Sequence, residues 1–171
     1  MFVLGIDPGL TRCGYGCVER VVGGRTHARA VAAGVITTPT TDELPARLAA
    51  LQIELESLLV ELRPAVVVVE RVLFSANVRT AMATGQASGL ALAAAQRAGC
   101  EVAMYSPNEV KQAVTGDGGA GKAAVQEMVA RLLGLASPPR PPDAADALAL
   151  ALTHLASAGL RTRLAAAGAR Q

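Results

Sequence analysis

Four carboxylates stand where an acid is out of place: Asp7, Glu70, Asp143 and Asp146. Asp7 closes the apolar run Phe2-Val3-Leu4-Gly5-Ile6, and Glu70 closes Ala65-Val66-Val67-Val68-Val69. Asp143 and Asp146 open a nearly unbroken apolar stretch, Ala144 to Ala156. An acid at the end of a buried element must be paired, hydrogen-bonded or bound to a cation, because an unpaired buried charge is very costly. Basic residues are scarce beside these four in the chain. Several acids with few neighbouring bases point to a hard divalent cation with oxygen ligands, Mg²⁺ or Mn²⁺.

The elements that must carry these acids follow from pattern. Residues 2–7 read as a strand, which Pro8-Gly9 breaks. Tyr15 to Val22 reads as a second strand, Gly23-Gly24 as a hairpin signal and Ala28 to Thr37 as a third strand. Thr40, Thr41 and Asp42 offer caps for a helix marked by Leu44, Leu48, Leu51, Leu55, Leu58, Leu59 and Leu62, and Pro64 stops it. Ala65 to Val69 is apolar throughout, as expected of a central strand covered on both faces. After a loop through Ser75-Ala76-Asn77 comes a helix of small residues from about Arg79 to Arg97, then a fifth strand from Cys100 to Tyr105. Pro107 opens a short helix ending near Thr115-Gly116. Asp117-Gly118-Gly119-Ala120-Gly121 reads as a flexible loop, Val125 to Leu133 as a helix, and Ser137 to Pro142 as a rigid linker. A last helix is expected from about Asp143 to Ala158. Residues 1–158 then form one α/β domain, followed by a flexible tail over 159–171.

Three leading strands predict an antiparallel meander, and later strands return through helices as right-handed parallel crossovers. If the fourth strand lies parallel beside the first, Asp7 and Glu70 emerge at one sheet edge. Asp143 and Asp146 are three apart and share a helical face, at the helix end that favours negative charge. One docking of that helix brings all four acids together.

The chain has 171 residues, enough for one domain with a real core, and a formal net charge of +2 from 16 basic and 14 acidic residues. With the four acids neutralised by cations, basic residues outnumber the remaining acids, which suits a polyanionic substrate. Lys111 and Lys122 are the only lysines, and they flank the glycine-rich loop. The N-terminus enters a strand pattern with no charged leader, and charges and glycines interrupt the apolar segments. The expectation is a cytoplasmic protein without a membrane partner. Cys13, Cys17 and Cys100 lack a partner set, so buried thiols are expected rather than a disulfide or metal site. His154 is expected at the surface or a helix end.

Together the order of elements and five motifs resemble the RuvC family of Holliday junction resolvases, within the ribonuclease H-like fold. The motifs are Gly5-Ile6-Asp7-Pro8-Gly9, Glu70-Arg71-Val72, Thr84-Gly85-Gln86-Ala87, Ser106-Pro107 with Val110-Lys111-Gln112-Ala113-Val114, and Asp143-Ala144-Ala145-Asp146-Ala147-Leu148. The likeness runs from Met1 to about His154. It implies a five-stranded mixed sheet flanked by helices and a nuclease that makes paired symmetric cuts in four-way junction DNA, in recombination and repair. The products carry 5′-phosphate and 3′-hydroxyl ends. It implies that Asp7, Glu70, Asp143 and Asp146 are catalytic metal ligands, for two Mg²⁺ or Mn²⁺ ions per subunit that activate water and stabilise the leaving oxygen. Lys111 and Lys122 align with catalytic lysines near the scissile phosphate, where they offset transition-state charge. Arg12, Arg71, Asn77 and Arg79 are assigned to DNA contact. The small-residue helix, Thr84 to Ala95, implies a homodimer with two sites on a two-fold substrate. The RuvA and RuvB branch-migration proteins are implied partners.

The chain also departs from the family pattern. Leu73 stands where the family carries a junction-wedging phenylalanine, with Phe74 beside it, and either residue can serve. Asp117 and Gly119 stand where positive charge is common. Four acids that repel one another in the metal-free protein also imply that Asp143→Asn raises its melting temperature. Rival readings carry less. Actin-like ATPases and sugar kinases share an Asp-Pro-Gly-type turn but need two such domains. A resolvase-like RNA-processing nuclease fits the glutamate and paired-aspartate motifs less well. A non-enzymatic junction binder gains nothing from acids facing phosphates.

Overall fold

A run such as Val66-Val67-Val68-Val69 is stable only where a strand is covered on both faces, because its β-branched side chains point alternately to each. In the computed structural model, which describes residues 1–21, 26–71 and 78–168, that run lies inside the sheet and is buried throughout. The strands are β1 (Phe2–Asp7), β2 (Arg12–Arg20), β3 (Ala28–Thr37), β4 (Val66–Glu70) and β5 (Glu101–Tyr105), in the order β3-β2-β1-β4-β5. β2 pairs antiparallel with β1 and β3, whereas β4 runs parallel to β1 and β5. This is the expected mixed sheet, with β1 and β4 adjacent.

Helices cover both faces. Leu4, Ile6, Val67 and Val69 pack against α1 (Leu44–Leu62) and α2 (Val78–Arg97). Val3, Val18, Val66 and Val68 pack against α3 (Pro107–Thr115), α4 (Lys122–Leu133) and α5 (Pro142–Gly168). α5 is the central helix of its layer, touching β1, β2, β3 and β4. It lies so close to the sheet because three strand residues have no side chain. A Cβ on Gly5 would strike the carbonyl oxygen of Ala147, and one on Gly14 that of Asp143. One on Gly16 would sit 2.7 Å from the Leu148 nitrogen. Alanines at 144, 145, 147, 149 and 151 complete the close approach from the helix side, each at most 1% exposed.

Several boundaries differ from expectation, each for a physical reason. β2 begins at Arg12 rather than Tyr15, because its ladder with β3 already pairs Arg12 with Thr37 and Cys13 with Ile36. Glycine in a strand masks the pattern that would mark this start. Thr40, Thr41 and Asp42 do not cap α1: its N-cap is Glu43, with no side-chain cap bond, and Pro45 follows. The loop after α3 is closed by hydrogen bonds rather than open. Gly118 N donates to Gln112 Oε1 at 3.1 Å, Gly119 N to Asp117 Oδ1 at 2.8 Å and Asp117 N to Thr115 Oγ1 at 3.1 Å. α5 continues past Ala158 to Gly168, as the good helix formers Ala, Leu and Arg allow. The Gly23-Gly24 turn lies outside the described residues.

Candidate active site

Strand alternation sets the first half of the site. Val3, Gly5 and Asp7 point to the α5 face of β1, and Val66, Val68 and Glu70 to the same face of β4. The parallel ladder runs from Val3–Val66 to Ile6–Val69, so the next residues, Asp7 and Glu70, leave the sheet side by side. The second half comes from α5, which opens at Pro142 and carries Asp143 in its first turn and Asp146 one turn on. Gly14, opposite Asp7 in the ladder, lets the Asp143 backbone rest on β2. The glycine track therefore brings the helix acids to the strand acids, and all four carboxylates are half-buried.

Their electrostatics are uneven. Burial above all pushes the Asp7 carboxyl up to about 7, and the charges of Glu70, Asp146 and Asp143 add to it, against a smaller opposing pull from Lys122. Glu70 is raised by burial and then by Asp146, again opposed by Lys122. Asp143 lies below the usual carboxylate range, because Arg12 hydrogen-bonds it. Arg12 donates from both Nε, at 3.1 Å, and Nη2, at 2.8 Å, to Asp143 Oδ2. Lys122, the first residue of α4, donates from Nζ to Asp146 Oδ2 at 3.3 Å, and that carboxylate holds the lysine's pKa up. The expected scarcity of bases thus needs correcting. Two cations reach the site, Arg12 from the start of β2 and Lys122 from the start of α4.

An all-oxygen donor set of this kind suits a hard divalent cation. Asp143 and Asp146 are nonetheless turned to bases. Among the described residues, no three Asp, Glu, His or Cys side chains are gathered so as to hold one ion as they stand. The donors fit in chemistry and neighbourhood, and one oxygen of each helix carboxylate, Asp143 Oδ2 and Asp146 Oδ2, is engaged by a base.

The other candidates are less concentrated. Lys111, on α3, is half-buried and makes no ion pair among the described residues. Arg71 follows Glu70 directly, donates to the Met104 carbonyl at 3.3 Å and lies 3.7 Å from Glu109. Arg79 is exposed in the first turn of α2. Leu73, Phe74 and Asn77 lie outside the described residues. His154 is not at the surface. It is 2% exposed, and its Nδ1 is 3.3 Å from the Tyr105 hydroxyl, because α5 is buried on more than one side at that turn. Cys13, Cys17 and Cys100 are buried free thiols, as expected. The residues missed by sequence reasoning are Gly14 and Gly16. Their signal was the Gly14-Tyr15-Gly16 alternation in a strand one turn from Asp7.

A family model described as crossover junction endodeoxyribonuclease RuvC matches residues 3–154. The chain belongs to the RuvC family. It is 56% identical over 170 residues to the crossover junction endodeoxyribonuclease RuvC of Salinispora arenicola, covering 99% of this chain and 96% of that one. To the RuvC of Streptomyces avermitilis it is 54% identical over 164 residues, covering 96% and 92%. The solved structure of Thermus thermophilus RuvC matches with a TM-score of 0.87 at 40% identity, covering 95% of this chain and 98% of that one. A structure of T. thermophilus RuvC in complex with Holliday junction substrate matches with the same score of 0.87, at 40% identity and 95% and 97% coverage. The yeast mitochondrial Holliday junction resolvase, at 17% identity and a TM-score of 0.67 over 90% and 78% of the two chains, shares the fold. The ribonuclease H-like architecture expected for RuvC members is the one observed. No helix among the described residues is long and apolar enough to cross a membrane.

Proposed function

We propose that this chain resolves four-way DNA junctions by hydrolysing two symmetry-related phosphodiesters, leaving 5′-phosphate and 3′-hydroxyl ends, in recombination and repair. The observation that carries the proposal is the convergence of Asp7, Glu70, Asp143 and Asp146 at one sheet edge, where burial first and the neighbouring acids second push Asp7 up to about 7. Such a gathering of acids around a buried carboxyl suits a site that takes a cation. Asp7, Glu70, Asp143 and Asp146 would hold two Mg²⁺ or Mn²⁺ ions. When bound, the ions supply an activated water and charge neutralisation at the attacking and leaving oxygens.

The chain's own residues do the remaining work. Glu70 and Asp7 are fixed by the ends of two central strands, so the floor of the site is rigid. Lys122 is paired with Asp146 but its side chain is 80% exposed, so its ammonium has a path to a phosphate once the carboxylate turns away. Lys111 on α3, Arg71 directly after β4 and Arg79 in the first turn of α2 are assigned to the DNA backbone. Leu73, Phe74 and Asn77, between β4 and α2, are assigned to the junction itself.

A homodimer explains paired cuts, since a two-fold assembly puts two sites on a two-fold substrate. α2 offers the face for it. Val78 and Met82 are 69% and 62% exposed, and an added Cβ at Gly85 or Gly89, on the same stripe, meets nothing within 4 Å. Partnership with RuvA and RuvB, and action in the cytoplasm, belong to the same proposal. Asp7→Asn and Asp146→Asn test the site: a gel shift and a nicking assay on one preparation should show junction binding retained and cutting lost. Full cutting by either variant would refute the assignment.

A further inference from the structure

The Arg12–Asp143 pair ties two fixed points of the fold together. Arg12 opens β2 and pairs with Thr37 in the ladder. The two residues before it are pinned from outside: Thr38 Oγ1 donates to the Leu10 carbonyl at 2.5 Å, and Arg47 donates to Thr11 Oγ1 at 2.7 Å and to Thr38 Oγ1 at 3.0 Å. Thr38 is 4% exposed, so this anchor is internal. Gly14, two residues on and on the same strand face, presses the Asp143 backbone onto β2. The guanidinium and the carboxylate therefore meet because their backbones are held together, and not because two long surface chains found each other. Both fork donors are spent on the same oxygen, Asp143 Oδ2, at 3.1 and 2.8 Å.

We propose that Arg12 is a latch: it holds Asp143 away from the cations in the DNA-free protein and gives it up when a DNA phosphate takes the guanidinium. The inference rests on the function proposed above. A guanidinium matches phosphate and carboxylate with the same planar fork and keeps its charge at all working pH values, so the exchange needs no proton. The pair is open to solvent, with side chains 47% and 29% exposed, which gives a phosphate access and makes the bond cheap to leave. Asp143 freed by that exchange becomes available as an oxygen ligand. A cation that takes Asp143 first likewise frees Arg12 for DNA. Each ligand thus removes an obstacle to the other, and by linkage the gain is reciprocal. The device limits ion loading on the DNA-free protein and completes the site where a junction lies across it.

The full chain is titrated with Mn²⁺ alone, by calorimetry, as wild type, Arg12→Gln, Arg12→Lys and Asp7→Asn. Junction affinity of the same preparations is read by anisotropy in EDTA. The latch predicts that Arg12→Gln binds Mn²⁺ severalfold more tightly and the junction severalfold more weakly than wild type. Arg12→Lys, which keeps the charge but loses the fork, should also bind Mn²⁺ more tightly than wild type. Unchanged Mn²⁺ affinity in Arg12→Gln, while Asp7→Asn abolishes binding, overturns the latch and leaves the active-site assignment standing. Wild-type Mn²⁺ affinity in Arg12→Lys beside tightening in Arg12→Gln also overturns it, in favour of net charge alone. A parallel fall in both affinities overturns it as plain structural damage. Mn²⁺ binding that is absent from wild type, or indifferent to Asp7→Asn, removes the metal site and the latch together.

Discussion

Asp7 bears most of the electrostatic cost of the cation-free site. Its pKa rises from an ordinary 3.8 to about 7, through burial first and the neighbouring acids second. A carboxyl raised on folding contributes stability that is whole below its unfolded pKa and is lost as pH climbs to its folded one. The metal-free protein should therefore melt progressively lower from about pH 4 to about pH 7. Asp7→Asn, with no proton to lose there, should flatten that decline and melt roughly 3–8 °C above wild type at pH 8 in EDTA, as read by scanning calorimetry. The same variant should cut junctions more than about a hundredfold more slowly, since even the outer partners of a metal ligand are worth 10–100-fold. Asp143 behaves differently. Arg12 already satisfies it, so Asp143→Asn exchanges a part-exposed ion pair for relief of Asp7, and its metal-free melting should stay within about 1 kcal/mol of wild type. This corrects the expected rise, which spread repulsion evenly over the four acids. The acids were legible because each interrupts an apolar run. The bond from Arg12 to Asp143 was not, because the two lie 131 residues apart in the chain and only the packing of α5 on β2 joins them.

At the scale of elements, the contact of α5 with the sheet decides whether four acids make one site. Gly14→Ala would put a methyl group into the Asp143 carbonyl and must lift the start of α5. The expected cost is about 1–3 kcal/mol, as for other overpacked sites. Cutting should fall well beyond what the unfolded fraction explains, with junction binding kept. Gly89→Ala meets nothing within 4 Å, and its melting should move by no more than about 1 kcal/mol, in the stabilising direction. Wild-type cutting by Gly14→Ala under fully folded conditions would count against the glycine track. Element order and sheet pairing were readable because valine runs, leucine spacing and prolines are local signals. The start of β2 and the N-cap of α1 were not, because strand pairing sets the first and the capping candidates do not make the cap bond. The glycine track needed knowledge of which helix lies on which strand, and no local pattern carries that.

At the scale of the whole molecule, one chain carries one candidate site, and resolution of a junction needs two cuts. If α2 pairs two subunits, Met82→Glu, at a position 62% exposed, should shift the protein from dimer to monomer in sedimentation without lowering the stability of the folded chain by more than about 0.5 kcal/mol. Nicks made by that variant should become unpaired. A dimer of unchanged strength would move the interface elsewhere. The substrate class was legible through the motifs, and the two-fold requirement follows from the substrate, but the proposed pairing face rests on the exposure of Val78 and Met82, which no local pattern carries. The most direct measurement is incubation of the protein with an end-labelled synthetic four-way junction and a matched linear duplex, each in Mg²⁺, Mn²⁺ or EDTA. The account predicts paired, symmetric, ligatable nicks in the junction alone, absent in EDTA. Junction binding without cutting in either metal, or equal cutting of the duplex, would contradict it.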